Sequence, residues 1–270
     1  MSEIVLSAGV RSNLLQLQNT SELITSTQTK LATGKRVNSA LDNANNFFTA
    51  QGLDNRASDL NNLLDAMSTG INTIQAANNG ITAITKLVQS AQSLVSQAQQ
   101  TSDTTVRASL SSQFDAIRTQ IDQLAGDAGF NGTNLLNGDN LTVTLNETAT
   151  SSTTVSGVTD TSTGLAINAS ANSWAATADI TAAGSDLTKA LGTLRSQSQT
   201  LSSNLSTVQI RQDFTKAMIN TLQAGSDALT LADSNEEGAN LLALQTRQQL
   251  STTALSLASQ ADQNVLRLFG

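Results

Sequence analysis

The sequence predicts a mainly α fold, in which long antiparallel helical rods form a coiled-coil-like bundle with a small β/loop insert in the middle. One observation is an unbroken row of apolar residues at every seventh position, formed by Leu53, Leu60, Met67, Ile74, Ile81, Val88 and Val95. Another is the absence of proline from all 270 residues, so no proline forces a break in a long helix. A third is the segment LTVTL at residues 141–145, where apolar and polar residues alternate as they do in a strand.

The longest helix is predicted over residues 45–100. Residues seven apart lie on nearly the same helix face, so the apolar row becomes one continuous stripe that needs partner helices of similar length. Gly70 and Gly80 each weaken this helix by about 1 kcal/mol relative to alanine. The stripe continues in phase through both glycines, so we expect neither to end the helix.

Two helices are predicted before the middle of the chain in addition to the longest one. The first spans residues 4–31, and its apolar positions are Val10, Leu14, Leu17, Ile24 and Leu31. Gly34 is a plausible C-cap for it. After the longest helix, Ser102 or Asp103 can cap a helix whose apolar stripe runs from Val106 to Leu124.

Beyond the insert, the helical pattern resumes at Asp186. Apolar residues from Leu187 to Leu222 follow four-three spacing, with Ser198, Gln212 and Thr215 in polar positions of the stripe. A last helix is predicted from about residue 236, with a stripe formed by Leu250, Ala254, Leu257, Ala261, Val265 and Leu268. Trp174, the one tryptophan, is predicted to seal a small core within the insert.

The composition argues against an enzyme and against several classes of partner. Histidine and cysteine are absent, which removes the commonest general base, the commonest metal ligand and any thiol nucleophile. A net charge of −7 disfavours nucleic acid, whose phosphates need a basic face. No apolar run approaches a membrane span, and the N-terminus does not read as a cleaved signal peptide.

Paired acids are the strongest candidate for chemistry, at Glu236 and Glu237. Adjacent acids at a helix start usually favour the helix dipole, and we prefer that interpretation to acid–base catalysis. No loop has the spacing of a calcium-binding EF-hand, and no G-x-S-x-G motif occurs. We therefore predict no catalytic residue, no metal site and no cofactor.

Three motifs occur in the order found in bacterial flagellin. Residues 31–44, LATGKRVNSALDNA, resemble the family's L-S-S-G-x-R-I-N-S-A-x-D-D-A, and residues 130–138, FNGTNLLNG, are similar to its F-N-G-x-K-L-L. Near the C-terminus, Asp233 and Glu237 match the family's D-x-D-x-A-x-E region, and QNVL follows at residues 263–266. The chain resembles bacterial flagellin over nearly its whole length.

The resemblance implies a structural subunit that self-polymerises into the helical filament of the bacterial flagellum and serves motility. Residues 1–42 and 231–270 would be the N- and C-terminal core helices, and residues 43–138 and 186–230 the two parts of the rod domain. Residues 139–185 would be a short, variable outer insert. Subunit–subunit packing would then use the apolar positions of the terminal helices, which are Val10, Leu14, Leu17, Ile24, Leu31, Leu250, Leu257, Val265 and Leu268.

The resemblance also implies partners and a location. The chain would assemble with itself and with paralogous flagellins, and it would meet hook-associated junction and cap proteins. Flagellar export machinery and an export chaperone would carry it to the extracellular filament without a cleaved signal peptide. We expect no nucleic acid and no membrane among its partners.

One stretch departs from the family pattern. Many members carry a receptor-recognised segment resembling L-Q-R-V-R-E-L-S-V-Q-A, whose counterpart here is VQSAQSLVSQA at residues 88–98. Ser90, Gln92 and Ser93 replace two arginines and a glutamate. Because charge-assisted hydrogen bonds are the strong ones, we expect weak recognition by the animal innate receptor for flagellin.

Other functions fit the sequence less well. A hook–filament junction protein of the same superfamily would share both termini but cap rather than polymerise. A membrane-active amphipathic protein needs basic faces, which this chain lacks. An adhesin or a chaperone-like coiled coil would be distinguished by failure to form filaments.

Overall fold

The computed structural model describes residues 8–269, with side chains described as far as Asn264. Its helices are α1 Ala8–Thr33, α2 Ala40–Gln100, α3 Thr104–Asp127, α4 Thr177–Thr230 and α5 Ser234–Phe269. Strands β1 Leu141–Thr144 and β2 Ser152–Val155 form a small antiparallel hairpin between α3 and α4. The predicted mainly α fold class is confirmed.

The chain divides into two compact units, one formed by a continuous central segment and the other by the two segments that flank it; the boundaries follow Asn55 and Asn220. The central unit, residues 56–220, holds most of α2 and α4 together with α3 and the hairpin. The terminal unit combines the chain up to Asn55 with the chain from Thr221 onward, and includes α1 and α5.

In the central unit α2 and α4 run antiparallel. Gln212 Nε2 donates to Ser68 Oγ at 2.9 Å, and Ser198 Oγ donates to Asn78 Oδ1 at 2.8 Å. Residue numbers in contact therefore decrease along α4 as they increase along α2. The predicted seven-residue row of α2 is buried between Leu60 and Val95. Two of the three polar positions predicted in the stripe of α4 therefore form hydrogen bonds between the two rods, whereas Thr215 Oγ1 donates to Arg211 O within α4.

Both predicted helix-weakening glycines of α2 allow a close approach by the segment that follows α3. A Cβ on Gly70 would lie 2.7 Å from Val143 Cγ2, and a Cβ on Gly80 would lie 2.6 Å from Leu136 Cδ1. The helix continues through both positions, as predicted. Glycine lowers the helix propensity at these two positions, but the missing Cβ leaves room for the segment that follows α3 to pack against α2.

The ends of α3 are capped by side chains. Asp103, one of the two predicted N-cap residues, accepts hydrogen bonds from the backbone of Thr105 and Val106. At the other end, Asn134 Nδ2 donates to the carbonyls of Ala125 and Gly126 at 2.8 and 2.9 Å. This contact explains the asparagine of the FNGTNLLNG motif, whose two leucines are fully buried.

Trp174 is fully buried, and its ring centroid lies 5.1 Å from that of Phe114 on α3. The predicted burial is confirmed, although the tryptophan packs on a helix of the rod. The predicted start of the following helix at Asp186 was wrong, because α4 begins at Thr177. Its first turns bury Ile180 and Ala183, so an isoleucine and an alanine continue a stripe that the spacing of leucines alone did not reveal.

In the terminal unit α1 packs along α5. Gly34 ends α1 with a φ of +67°, a left-handed conformation that suits glycine and confirms the predicted C-cap. The chain then pairs with the end of α4, since the backbone N–H groups of Arg36 and Val37 donate to Thr230 O at 2.7 and 3.2 Å. The first flagellin-like motif therefore connects α1 to the C-terminal segment through the backbone.

Candidate functional site

The predicted packing residues of α1 fall on two different faces. Val10 is buried, and Leu17, Ile24 and Leu31 are half-buried on the row that also buries Thr20 and Thr27. Because α1 packs along α5 within the chain, this row is already covered in a single subunit. Leu14 is 38% exposed and lies outside it.

The predicted stripe of α5 faces away from α1. Leu250 and Leu257 are 67% and 62% exposed, whereas half-buried positions recur at Leu244, Ser251 and Leu255. Leu250 and Leu257 are seven apart and share a face, so they form an apolar row open to solvent. Val265 and Leu268 lie outside the residues whose side chains are described.

Sequence reasoning missed three further exposed leucines on the terminal helices. Leu15 and Leu23 on α1 are 61% and 51% exposed, and Leu242 on α5 is 70% exposed. They do not continue the seven-residue rows from which the stripe was predicted. Leucines that lie outside the seven-residue rows of α1 and α5 are the sequence signal that could have identified them.

A long-range ion pair joins the two terminal helices. Lys30 Nζ on α1 lies 3.1 Å from Glu237 Oε1 on α5, with the glutamate side chain only 12% exposed. Glu236 and Glu237 are both in the first turn of α5, where acids favour the helix dipole. The structure thus gives Glu237 a structural role, in keeping with the interpretation preferred from sequence.

The first motif is also held together by a carboxylate. Asp42 Oδ2 accepts hydrogen bonds from the backbone N–H groups of Asn38 and Ser39, both at 2.9 Å. These two donors, with a smaller contribution from the Ser39 hydroxyl, hold the pKa of Asp42 below its usual value. Arg36 Nη2 donates to Leu229 O at 3.2 Å, so this exposed cation contacts the end of α4 in its own chain.

The stretch that departs from the receptor-recognised pattern lies on α2. Ser90 and Ser93 are exposed and Gln92 is half-buried, while Val88, Ala91 and Val95 of the same stretch are buried. Ser93 Oγ donates to Gln89 O at 3.2 Å within the helix. Ser90 and Ser93 are therefore on the outward face of α2, whereas Gln92 borders α4.

Asp160 is a buried acid that sequence reasoning did not single out. It is fully buried, and among the described residues neither carboxyl oxygen has a hydrogen-bond partner within normal geometry. Burial raises the pKa of Asp160 to about 6, and the facing Gln197 side chain lowers it slightly. Gln197 Oε1 is also buried without a hydrogen-bond partner among the described residues. A protonated Asp160 carboxyl could donate a hydrogen bond to this oxygen and so give both groups a partner.

No helix among residues 8–269 has an apolar stretch of the length and hydropathy that a membrane span requires.

Comparisons with known proteins agree with the motifs. The family model of the bacterial flagellin N-terminal helical region matches residues 8–141. Flagellin FljM of Caulobacter vibrioides is 31% identical over 271 residues, covering 100% of this chain and 99% of the relative. A flagellin of Brucella melitensis is 28% identical over 283 residues, with 100% of this chain and 99% of the relative covered.

A crystal structure of Bacillus cereus flagellin aligns with a TM-score of 0.47 at 19% identity, covering 57% of this chain and 88% of that one. The family assignment rests on the sequence relatives, which are matched from end to end. The chain belongs to the flagellin family and is a subunit of the extracellular filament of the bacterial flagellum.

Proposed function

We propose that neighbouring subunits of the filament contact one another through apolar side chains that the terminal helices leave exposed. The observation that carries this proposal is the exposure of Leu14, Leu15, Leu23, Leu242, Leu250 and Leu257, each at least 38% accessible in one chain. Burying one leucine side chain is worth about 1.5–3 kcal/mol. A few such contacts repeated between subunits provide the driving force for a polymer.

The covered row of α1 has a different role in this proposal. Val10, Leu17, Ile24 and Leu31 hold α1 against α5 and so shape the paired helices before a neighbour arrives. The exposed leucines then provide the contacts between subunits. Because identical subunits must join through two different surfaces to give an open polymer, the exposed leucines of α1 and α5 need not face each other.

The division of labour along the chain is part of the same proposal. Residues 1–42 and 231–270 form the inner part of the filament, residues 43–138 and 186–230 the surrounding rod, and residues 139–185 the outer insert. The hairpin and its loops lie between α3 and α4 along the chain, as the insert of this division does. Residues 177–185 are helical and extend the rod into the range assigned to the insert.

Family membership supports a set of partners. The subunit polymerises with itself and with paralogous flagellins. It adjoins hook-associated junction and cap proteins, and it reaches the filament by the flagellar export machinery and an export chaperone without a cleaved signal peptide.

Seeded assembly tests the packing proposal. Purified full-length chain is added to short filament fragments, and elongation is followed by light scattering and electron microscopy. Leu250→Asp and Leu257→Asp should each slow elongation at least tenfold, because a charge would be buried at the contact. Ser256→Asp is the matched control, since Ser256 is exposed on the same helix and away from the apolar row.

Normal elongation by both leucine variants would contradict the assignment of these residues. A folded wild-type chain that never elongates would instead favour a capping junction protein. Circular dichroism of each variant checks that the helices remain intact.

Weak recognition by the innate receptor remains a separate proposal. The outward positions Ser90 and Ser93, with the half-buried Gln92, offer no charged group. Receptor-reporter cells should respond at least tenfold less to this protein than to an enterobacterial flagellin. Restoring the family charges with Ser90→Arg, Gln92→Arg and Ser93→Glu should raise the response, and an equal response by the unaltered protein would overturn the proposal.

A further inference from the structure

The central unit exposes an apolar ridge on α4 that its own fold does not use. Ile210 and Phe214 are 66% and 56% exposed and are four residues apart, so they lie side by side on the helix. Ile210 follows the buried Val208 by two residues, and Phe214 follows Gln212, which contacts α2, by two residues. Two residues turn a helix by about 200°, so Ile210 and Phe214 point away from α2.

Charged residues of opposite sign flank this ridge. Arg211 and Asp213 are both exposed, and at about 100° per residue they lie on opposite sides of the line through Ile210 and Phe214. Asp213 makes an exposed contact of 3.7 Å with Lys216, a type of ion pair that contributes little. Arg211 has no ion-pair partner among the described residues.

A groove with matching chemistry lies elsewhere in the central unit, between α2 and α3. Its volume is about 370 Å³. Its floor is apolar and half-buried and is formed by Ala83, Leu87 and Leu124. Its rim is exposed and includes Lys86 on the α2 side and Gln120 and Asp127 on the α3 side. Lys86 and Asp127 have no ion-pair partner within the described part of the chain.

We infer that the α4 ridge of one copy docks into the α2–α3 groove of a second copy, as a lateral contact between rods. This inference rests on the proposed polymerisation and assigns it a second interface, in addition to the terminal helices. The ridge supplies apolar side chains to an apolar floor, and the rim of the groove meets the flanks of the ridge. A contact between two different surfaces does not close on itself, as a filament requires.

The charges select the relative direction of the two copies. With the copies parallel, the right-handed course of the helices puts Arg211 over the α3 rim, near Asp127. It puts Asp213 over the α2 rim, near Lys86. Reversing one copy would exchange the flanks and place like charges together, so the inferred contact joins parallel rods.

The contact also specifies a stagger between neighbours. Gln212, which lies midway between Ile210 and Phe214 along the axis of α4, is level with Ser68 of its own α2, whereas the groove is level with Lys86. Lys86 lies 18 residues beyond Ser68 on the same helix. At 1.5 Å per residue, lateral neighbours are displaced along the rod by roughly 27 Å.

Charge reversal in full-length protein tests the contact by seeded elongation. Arg211→Asp and Asp127→Arg should each slow elongation at least tenfold, and the double variant should recover to within threefold of wild type. Asp59→Arg, a reversal at an exposed position outside both surfaces, should stay within threefold of wild type. Equal rates for all variants, a double variant as slow as the singles, or a control as slow as Asp127→Arg would overturn the inference.

Disulfide trapping provides a second readout, because the chain contains no cysteine of its own. Filaments grown from a mixture of Phe214→Cys and Leu124→Cys subunits should yield covalent dimers on mild oxidation. A mixture of Ser202→Cys and Leu124→Cys subunits should not, since Ser202 is exposed on α4 but lies about 100° around the helix from the ridge. Elongation without the first dimer would overturn this contact alone, whereas wild-type chain that never elongates would overturn polymerisation and this contact together.

Discussion

Ser198 on α4 donates a 2.8 Å hydrogen bond from its hydroxyl to Oδ1 of Asn78 on α2, within a mostly apolar seam. A second such pair, Gln212 to Ser68, lies further along the same two helices. A helix stripe with only apolar residues can slide by a turn and still bury them. Polar pairs at fixed positions remove that freedom, because a shifted register leaves them without partners.

Ser198→Ala should lower the free energy of unfolding by about 1 kcal/mol, since it removes one partner of a half-buried pair. Urea unfolding can be followed by the fluorescence of Trp174, the one tryptophan of the chain. Ser203→Ala serves as the control, because Ser203 is exposed on the same helix. A loss no larger than that of the control would mean that the hydrogen bond does not contribute to stability.

Gly80→Ala should destabilise the central unit, although alanine is the better helix former. A Cβ at this position would lie 2.6 Å from Leu136 Cδ1 and 2.8 Å from the Cβ of Ala128. Relief of that overlap should cost about 1–3 kcal/mol, more than the roughly 1 kcal/mol gained from propensity. The measurement is the urea midpoint of the tryptophan transition.

Gly192→Ala is the matched substitution with the opposite expected sign. Gly192 also lies inside a long helix, but a Cβ added there would meet nothing within 4 Å. It should raise the free energy of unfolding by up to about 1 kcal/mol. If both glycine variants changed stability in the same direction, the close approach at Gly80 would not govern the result.

Asp160→Asn should change how stability depends on pH. Burial raises the pKa of Asp160 from 3.8 to about 6 in the folded chain, so between these values the folded state holds a proton that the unfolded state has lost. Wild-type stability therefore falls as pH rises through this window, by an amount of up to about 3 kcal/mol. The asparagine variant has no such group and should lose that slope.

Thermal unfolding at pH 4.5 and pH 7.5 distinguishes the two proteins. The variant should gain stability relative to wild type at pH 7.5 and show a smaller difference at pH 4.5. A pH dependence unchanged by the substitution would mean that Asp160 does not titrate in this range.

Glu237→Gln should loosen α1 from α5 in a single subunit. It removes the ion pair with Lys30, whose side chain is 31% exposed, so the cost should be about 1 kcal/mol or less. Hydrogen exchange of α1 amides should speed up, with little change in α3. Glu236→Gln is the control, because the Glu236 carboxylate makes no ion pair among the described residues. Equal exchange in the two variants would contradict a role for this pair.

Periodicity predicted the features that repeat along a helix. The seven-residue row of α2, the cap at Asp103 and the end of α1 at Gly34 were all readable, because each depends on residues close in sequence. The beginning of α4 was not, since Ile180 and Ala183 continue its stripe with few leucines.

The surfaces depended on contacts between distant residues and could be predicted only in part. Leu250 and Leu257 were foreseen as apolar, but only the pairing of α1 with α5 decides which leucines remain exposed. The burial of Asp160 beside Gln197 had no local signal in a low-complexity segment. Ile210 and Phe214 were unmarked because they lie outside the stripe that was used to read α4.

The pairing of α1 with α5 has a consequence for the order in which the protein matures. The ion-pair partner of Lys30 is 207 positions later in the chain. If the chain emerges amino end first, α1 therefore has no α5 to pack against until nearly the whole chain has emerged. The central unit has both of its rods available earlier and can fold ahead of the termini. An unfinished chain that lacks its last helix can thus complete its middle while its first helix has no partner. The surface that we propose to join subunits would then be completed last, which would keep incomplete chains out of the polymer.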